Sequence, residues 1–210
     1  MSGNGNIRQR ADGRYEARYV KGRDQRGRAV YASRYGRTHE EAERKRAEAL
    51  FRSVRVREMN LLILGAGSHG QEVMELVQRL NVFRKIGFLD DDPARSGVLG
   101  PCTSLERWVE EYPAAIPAVG NWELRTRWLM ELARAGYVLP VLIHPDATVA
   151  PSAKLGYGTV VCARATVGSG AEVGAGCIIS SAAAVERSAV VPDGTHVDCG
   201  QVFRATLREA

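Results

Sequence analysis

The stretch that decides the fold occupies residues 142–200 and has the sequence LIHPDATVAPSAKLGYGTVVCARATVGSGAEVGAGCIISSAAAVERSAVVPDGTHVDCG. Every sixth residue from Ile143 to Phe203 is apolar, which makes eleven consecutive matches. A small residue lies four positions after each of the first nine matches, from Ala147 to Thr195. Aliphatic and small residues at this period build a triangular parallel β-coil in which each hexad forms one flat side. The pattern predicts a left-handed parallel β-helix over residues 141–210.

The predicted β-helix is short. Three hexads close one coil, so eleven matches make fewer than four coils. The ends of a repeat array must be protected from solvent and from edge pairing. We expect either the last residues of the chain or another subunit to cover the exposed end.

A glycine-rich loop follows the first predicted strand of the middle segment, residues 59–140. The apolar run at residues 60–64 leads into Gly65-Ala66-Gly67-Ser68-His69-Gly70, and a helix is predicted over residues 71–80. Glycines between a strand and a helix let backbone N–H groups and a helix N-terminus approach an anion. The loop is therefore a candidate phosphate-binding site. The alternative is that the glycines only make a tight turn.

Three aspartates, residues 90–92, follow the second predicted strand, residues 86–89. Asp90 is twenty positions after Gly70, where a ribose-binding carboxylate is expected in a nucleotide-binding fold. A helix over residues 104–111, a strand over 115–119, a helix over 121–135 and a strand over 138–143 are predicted next, and they complete one βαβαβαβ unit. This is half of a two-part dinucleotide fold, so it favours one nucleotide, as in a nucleotide-sugar, over NAD. The alternative is that the aspartates only cap a loop.

Residues 1–58 hold the basic surplus of the chain. They contain 16 Lys and Arg against 8 Asp and Glu, whereas residues 59–210 contain 13 against 16. Three alternating runs predict short antiparallel strands, and Thr38 with Glu41 predicts the start of a helix. A basic sheet face that contacts DNA is predicted from Arg14, Arg18, Arg28 and Arg34. The alternative is a solvated face that only keeps a small domain soluble.

The basic segment also matches a known pattern. Its string IRQRADGRYEARYVKGRDQRGRAVYASRYGRTHEEAERKRAEAL, within residues 6–50, resembles the AP2-like N-terminal DNA-binding domain of phage and transposon tyrosine integrases. The resemblance implies a three-stranded sheet plus helix that docks its sheet on DNA. No recombinase catalytic domain follows in the sequence, so we do not expect integration chemistry.

Residues 59 to about 203 resemble the NeuD/PglD family of sugar O- and N-acetyltransferases. The matching motifs are NLLILGAGSHGQEV, GFLDDD, AVGNWELR, LIHPDATVAPSAKLGYGTVV and VERSAVVPDGTHVDCG. The resemblance implies an α/β nucleotide-binding half-Rossmann domain before the β-helix, a homotrimer, and acetyl-CoA bound as co-substrate between adjacent β-helices. It also implies that a nucleotide-sugar is held by Gly65, Gly67, Ser68, His69, Gly70, Asp90, Asp91 and Asn121.

One departure from the family concerns the general base. Where the family has an acid-His-acid pattern with His as the base, this chain has Glu186-Arg187-Ser188. Arginine cannot accept the substrate's proton near neutral pH, because its pKa exceeds about 12 and it has no lone pair to offer. Loss of a general base typically costs about 10²- to 10⁴-fold in rate. His196 matches the second family histidine, near the acetyl thioester; alternatively, it is only a residue at a rung edge.

Other features narrow the function classes. The cysteines Cys102, Cys162, Cys177 and Cys199 have no metal-ligand spacing among themselves or with the histidines, so no metal site is expected. The longest apolar stretch, residues 61–64, is far shorter than the about 20 residues of a membrane span. The N-terminus has no signal-peptide core, and a cytoplasmic location is expected.

Three functional hypotheses remain open from the sequence. The first is an acetyl-CoA-dependent sugar acetyltransferase in which His196 or Glu186 partly replaces the missing base. The second is a non-catalytic, nucleotide-sugar-sensing protein that binds DNA through residues 1–58. The third is a degenerate fusion without a selected activity. The missing base, and the absence of later coils that complete the acetyl-CoA groove in the family, favour the second over an efficient enzyme.

Overall fold

The computed structural model describes residues 7–23, 29–53 and 59–204. In chain order they form a small antiparallel sheet with a helix, a parallel α/β unit and a three-sided parallel β-helix. None of the helices within these ranges is long and apolar enough to cross a lipid bilayer. The predicted DNA-contacting residue Arg28 lies outside the described residues.

The first unit is a three-stranded antiparallel sheet in the order β1-β2-β3, covered by helix α1. Its elements are β1 Ile7–Gln9, β2 Tyr15–Arg23, β3 Ala29–Gly36 and α1 His39–Ser53. Ala17 and Tyr19 are buried on the face of β2 that meets the helix. The predicted cap is confirmed, because the backbone N–H of Glu41 donates to Oγ1 of Thr38 at 3.1 Å. The Glu41 carboxylate accepts a hydrogen bond from the backbone N–H of Arg37 at 2.6 Å.

The register of β2 and β3 corrects the predicted basic face. Arg34 pairs with Ala17, whereas Arg18 pairs with Ser33. Residues directly opposite each other in a sheet point to the same face, so Arg34 lies on the helix side with Ala17 and not on the face of Arg18. The prediction that Arg34 shares that face is wrong. Alternation within one strand does not set its register against the next strand, which depends on the connecting loop and on the irregularity between Val20 and Gly22.

The second unit is a four-stranded parallel sheet in the order β6-β5-β4-β7. Its strands are β4 Asn60–Leu64, β5 Lys85–Leu89, β6 Val98–Gly100 and β7 Ala114–Pro117. Its helices are α2 Ser68–Leu80, the short α3 Leu105–Trp108 and α4 Trp122–Ala135. The chain builds outward from β4 to β6 and then places β7 on the other side of β4. This change of direction creates a crevice at the carboxyl ends of β4 and β7, where open α/β sheets bind ligands.

Two predictions for this unit are wrong. The expected strand over residues 138–143 does not form, because Val138 makes only an isolated bridge to Ala114 and Pro140 has no N–H to extend the ladder. Leu142 and Ile143 instead form the first rung of the β-helix. The helix predicted over residues 104–111 is only the single turn of α3, and the short strand β6 was not predicted.

The third unit is a β-helix of eleven two-residue rungs. They are β8 Leu142–Ile143, β9 Thr148–Val149, β10 Lys154–Leu155, β11 Val160–Val161, β12 Thr166–Val167, β13 Glu172–Val173, β14 Ile178–Ile179, β15 Ala184–Val185, β16 Val190–Val191, β17 His196–Val197 and β18 Val202–Phe203. The rungs form three flat parallel sheets, β10-β13-β16, β17-β14-β11-β8 and β18-β15-β12-β9. Their inward aliphatic side chains stack into one buried column. The predicted hexad repeat is confirmed over these eleven rungs.

One corner of the β-helix consists of glycines that meet helix α4. Gly158, Gly176 and Gly194 occupy equivalent positions in successive coils, with φ between 63° and 71°. A Cβ atom at Gly158 would lie 2.4 Å from the side chain of Leu129, and one at Gly194 would lie 2.8 Å from Oγ1 of Thr126. Other corners tolerate Arg164, Ala182 and Ser188 in the same backbone conformation. Glycine at this corner therefore has two roles. It adopts the positive φ readily, and its lack of a side chain permits the close approach of α4.

Candidate functional site

A cavity of about 600 Å³ lies at the carboxyl ends of β4, β5 and β7. This volume is within the usual range for a small-molecule site. Six of the eight residues predicted to hold a nucleotide-sugar line it, namely Gly65, Gly67, Ser68, His69, Asp90 and Asp91. The opposite wall comes from the loop after β7 and from α4. The structure thus gathers the predicted residues around one opening.

The remaining two predicted residues support the cavity without lining it. Gly70 lies behind the loop, where a Cβ atom would stand 2.0 Å from the carbonyl oxygen of Gly65, so only glycine fits there. Asn121 is the N-cap of α4, and its side-chain oxygen accepts a hydrogen bond from the backbone N–H of Leu124 at 2.8 Å. Both residues set the shape of the walls.

The glycine loop presents the start of α2 to the cavity. Gly65 has φ +101°, a conformation that glycine adopts readily. Helix α2 begins at Ser68 after Gly67, and no side chain caps it among the described residues. The first N–H groups of a helix have no partner inside the helix, and the helix dipole makes this end positive. This end of α2 can therefore bind a phosphate group.

The two aspartates of the cavity differ in what they hold. Asp90 accepts hydrogen bonds from the backbone N–H groups of Ala66 at 2.6 Å and Asp92 at 2.9 Å. Burial would raise the pKa of Asp90, but these hydrogen bonds and the charge of Arg95 outweigh it and lower the pKa. Asp91 is exposed, and its Oδ1 accepts a hydrogen bond from the backbone N–H of Cys102 at 2.9 Å. Asp90 thus closes the loop, whereas Asp91 lies exposed at the cavity.

Two arginines that the sequence analysis missed also line the cavity. Arg95 donates to the carbonyl oxygen of Ala66 at 3.1 Å and lies 3.7 Å from Asp90. Arg127 comes from α4, and its side chain is mostly exposed. The spacing of Leu124, Arg127 and Glu131 on one side of a predicted helix is a signal that could have identified this wall, but it was not used. Both guanidinium groups add positive charge where an anionic ligand would lie.

His69 is a largely buried imidazole beside the cavity. Its Nδ1 lies 3.1 Å from a carboxylate oxygen of Glu72, and no hydrogen-bond partner for its buried Nε2 lies within the described residues. Burial lowers the pKa of His69, and the positive charges of His196 and Arg125 lower it further, against the opposite effect of Glu72. A neutral imidazole has a nitrogen that can accept a proton, so His69 keeps this capacity at neutral pH.

His196 lies on the β-helix, in contact with the preceding coil. It opens β17, and its Nε2 lies 2.8 Å from Oγ of Ser180 on the preceding coil. Asp198 lies 3.5 Å from the same nitrogen. The charge of His196 is among those that lower the pKa of His69, but His196 is not among the residues that line the cavity. The sequence separates these two residues by more than half of the chain.

The other two predicted catalytic residues lie elsewhere on the β-helix. Glu186 and Arg187 follow β15, which belongs to a different flat side from β17. The Glu186 carboxylate lies 3.4 Å from the guanidinium of Arg204, and Arg187 is exposed. Within one chain, therefore, His196 is not grouped with Glu186 and Arg187.

The exposed face of the N-terminal sheet pairs guanidinium groups with tyrosine rings. Arg18 lies 4.1 Å from the ring centroid of Tyr31, and Arg10 and Arg14 each lie 5.6 Å from that of Tyr35. The predicted residues Arg14 and Arg18 thus share this face with tyrosines that the sequence analysis did not predict there. Arg34 lies on the other face, 5.6 Å from the ring of Tyr19.

A buried carboxylate organises this face. Glu16 is only 8% exposed and lies 2.8 Å from Arg8 and 3.3 Å from Arg10. Hydrogen bonds from the Ser33 hydroxyl and from Arg8 lower the pKa of Glu16 to about 2. The carboxylate therefore holds two of the arginines in place on the exposed face.

Comparisons with known proteins agree with this arrangement. The model of the PglD N-terminal domain matches residues 60–132. The acetyltransferase domain of PglB from Neisseria gonorrhoeae FA1090 is 39% identical, with a TM-score of 0.63 over 66% of this chain and 70% of that chain. A second structure of that domain, in complex with acetyl coenzyme A, is 38% identical with a TM-score of 0.62 and the same coverage.

Two further relatives extend the comparison. UDP-N-acetylbacillosamine N-acetyltransferase of Bacillus subtilis (strain 168) is 33% identical over 112 residues, half of this chain. The chain spans about half of that relative, 51% of its length. A mutant of GDP-perosamine N-acetyl transferase from Caulobacter crescentus, in complex with CoA and GDP-perosamine, is 26% identical with a TM-score of 0.53, over 70% of this chain and 90% of that one. From its α/β unit and β-helix together, the chain belongs to the NeuD/PglD family of acetyltransferases.

Proposed function

We propose that this chain transfers an acetyl group from acetyl-CoA to an amino or hydroxyl group of a nucleotide-sugar. The observation that carries the proposal is a nucleotide-sized cavity at the start of α2 that is lined by Gly67, His69 and Asp91. The diphosphate would bind the N–H groups of that helix, and Asp91 would accept a hydrogen bond from a ribose hydroxyl. The relatives whose names include GDP-perosamine or acetyl coenzyme A support this choice of substrates.

The chemistry requires one proton transfer. The sugar nitrogen or oxygen attacks the thioester carbonyl, the new C–N or C–O bond forms, and the C–S bond breaks. A base takes the proton of the attacking group, and the CoA thiolate leaves and is protonated. Arg187 cannot be this base. In the proposal His196 takes the role, oriented by its hydrogen bond with Ser180, and Glu186 is the second candidate.

A homotrimer is part of the proposal. Glu186 and Arg187 lie on a different flat side from His196, so a neighbouring subunit would have to bring them towards a cavity. Acetyl-CoA would then lie between adjacent β-helices. We keep the domain division 1–58, 59–140 and 141–210 for this proposal, since β4 begins at Asn60 and β8 at Leu142. Light scattering of the purified chain tests the trimer directly.

The activity test is release of CoA thiol with a panel of amino- and hydroxy-nucleotide-sugars. We expect slow turnover in the wild-type chain and a gain of about 10²- to 10⁴-fold in Arg187→His, where a base is restored. His196→Asn should abolish the residual rate. His39→Asn is the matched control, because this histidine lies exposed on α1. Absence of sugar-dependent thiol release from both the wild-type chain and Arg187→His would contradict the proposal.

A second candidate function is nucleotide-sugar-sensing DNA binding without catalysis. The face of Arg10, Arg14, Arg18, Tyr31 and Tyr35 favours it, because guanidinium groups bind phosphates and aromatic rings support them. Helix α1 connects this sheet to the cavity-lining helix α4. The guanidinium of Arg46 donates to the carbonyl oxygen of Ala133, and Arg134 lies 3.5 Å from Glu43.

Fluorescence anisotropy with duplex DNA tests the second candidate. Affinity should fall steeply as salt rises, because phosphate contacts release counterions. Arg14→Ala and Arg18→Ala should weaken binding, whereas Arg79→Ala, an exposed arginine of α2, should not. Binding that is absent, or that does not respond to salt, rules this function out.

A further inference from the structure

Arg125 is a fully buried arginine whose hydrogen-bond partners, within the described residues, are backbone carbonyl groups. It lies on α4 and is 1% exposed. Its guanidinium donates to the carbonyl oxygens of Val119 at 2.7 Å, Gly120 at 2.8 Å, Gly176 at 2.9 Å and Gly194 at 2.5 Å. No carboxylate of the described residues forms an ion pair with it. Burying a charge without a counter-ion costs free energy. Packing stability alone therefore does not explain why an arginine occupies this position.

The four carbonyl groups belong to two different parts of the site. Val119 and Gly120 form the loop after β7 and line the cavity. Gly176 and Gly194 are equivalent corners of successive β-helix coils. Gly194 is two residues before His196. One side chain therefore joins the cavity wall to the coil that carries the retained histidine.

The geometry of a guanidinium explains why this link is stiff. Its five N–H donors lie in one plane with fixed directions, whereas a lysine ammonium has three donors on a flexible stem. Four carbonyl groups that accept hydrogen bonds from one planar guanidinium group are held at fixed positions relative to one another. Lysine would preserve the charge at this point but could not reproduce all four contacts.

The buried charge also acts on the neighbouring imidazole. The charged groups around His69 are Glu72 on its own helix, His196 on β17 and Arg125 on α4. The positive charge of Arg125 adds to the effect of burial, which lowers the pKa of His69. Removing this charge would raise the pKa.

We propose that Arg125 is a positioning residue that sets the separation between the nucleotide cavity and the His196 coil. This inference rests on the proposed acetyl transfer, since the separation determines how the sugar's attacking group meets the acetyl carbon. A misplacement of about 1 Å in such a geometry can cost about 100-fold in rate. The residue does not touch the reacting atoms and acts through the backbone it holds.

Steady-state kinetics of Arg125→Lys tests the positioning role. We expect kcat to fall about 10- to 100-fold while KM for the nucleotide-sugar stays within about threefold, because the cavity remains but its alignment with the coil is lost. Arg84→Lys, an exposed arginine outside the cavity, should behave as the wild type. A purely structural Arg125 would lower the melting temperature without changing kcat per folded molecule, and that result would overturn the proposal.

Two measurements decide the proposal without turnover. Amide hydrogen exchange at residues 118–121 and 194–197 should become faster in folded Arg125→Lys and Arg125→Met, while exchange in β4 is unchanged. The chain has four histidines, so a histidine-selective NMR titration can follow His69. Its pKa should rise in Arg125→Met and not in Arg125→Lys, which keeps the charge.

Together, the kinetic experiment and the exchange and titration experiments distinguish a wrong proposed function from a wrong role for Arg125. A wild-type chain without acetyl transfer would contradict the proposed function, and the exchange and titration data would still decide the role of Arg125. Unchanged exchange at both segments in the folded variants overturns the positioning role whether or not the chain turns over.

Discussion

Oγ of Ser180 lies 2.8 Å from Nε2 of His196, across two successive coils of the β-helix. The two residues are sixteen positions apart and meet because β14 pairs with β17 in one flat sheet. The hydroxyl group therefore fixes the ring orientation of the retained histidine, and the first prediction concerns this contact.

Ser180→Ala should lower kcat by about tenfold, since loss of one orienting hydrogen bond is worth about 1 to 1.5 kcal/mol. CoA thiol release with saturating nucleotide-sugar measures it. Ser169→Ala is the matched control, because this serine is exposed at another corner of the β-helix. Equal rates in Ser180→Ala and the wild type would mean that the Ser180 hydroxyl does not orient a catalytic base.

Gly158→Ala should destabilise the chain by about 2 to 4 kcal/mol, because the new methyl group overlaps the Leu129 side chain and φ is +68°. Gly170→Ala has a similar φ of +70°, and its nearest neighbour, Oγ of Ser188, lies 3.6 Å away. Its cost should be only about 1 to 2 kcal/mol. Urea denaturation compares the two variants. Equal losses of stability would show that α4 does not pack closely against this corner.

Substitution of Asp90 and substitution of Asp91 should have different effects, one on stability and the other on ligand binding. Asp91→Ala should weaken binding of UDP or GDP, or of their sugar conjugates, by about tenfold with little change in melting temperature, since it loses one ligand hydrogen bond. Asp90→Ala should lower the melting temperature, because the N–H groups of Ala66 and Asp92 lose their acceptor. Calorimetric titration and thermal denaturation measure the two effects. Tight binding in Asp91→Ala would assign the ribose contact to another residue.

The stability of the N-terminal sheet should depend on pH through Glu16. The pKa of Glu16 is about 2 in the folded chain and has an ordinary value of 4.5. A lowered folded pKa stabilises the folded state above pH 4.5, and this contribution is lost as the pH falls from 4.5 to about 2. Glu16→Gln should therefore lose less stability than the wild type between these pH values.

Denaturant unfolding at pH 5 and pH 2.5, followed by tyrosine fluorescence, measures this difference. Glu40→Gln is the control, because Glu40 is exposed on α1. Equal losses of stability in Glu16→Gln and the wild type between pH 5 and pH 2.5 would contradict this role of Glu16.

Features that depend on local sequence were predicted correctly. The hexad pattern from Ile143 to Phe203 was enough for all eleven rungs, because side-chain size at a fixed period determines how the coil closes. The capping pair Thr38 and Glu41 and the loop from Gly65 to Gly70 were also predicted, since each acts within a few residues of itself. One local prediction was wrong: the strand predicted over residues 138–143 does not form, because Pro140 has no N–H group to donate to a sheet.

Features that depend on distant residues were not predicted. The face of Arg34 depends on how β3 is registered against β2, which alternation within β3 does not set. Arg95 and Arg127 became part of the site only when a loop and α4 closed around the same cavity.

The sequence by itself determined the β-helix, the glycine turn between β4 and α2, and the strands and helix of the basic N-terminal unit. Only the tertiary structure placed His69 in the cavity wall, joined both units through Arg125 and placed Arg187 on a different flat side of the β-helix from His196. The physical reason is that repeats, caps and tight turns are set by neighbouring residues, whereas a site between two units depends on how α4 packs against the glycine corner of the β-helix. No pattern within either unit records that packing.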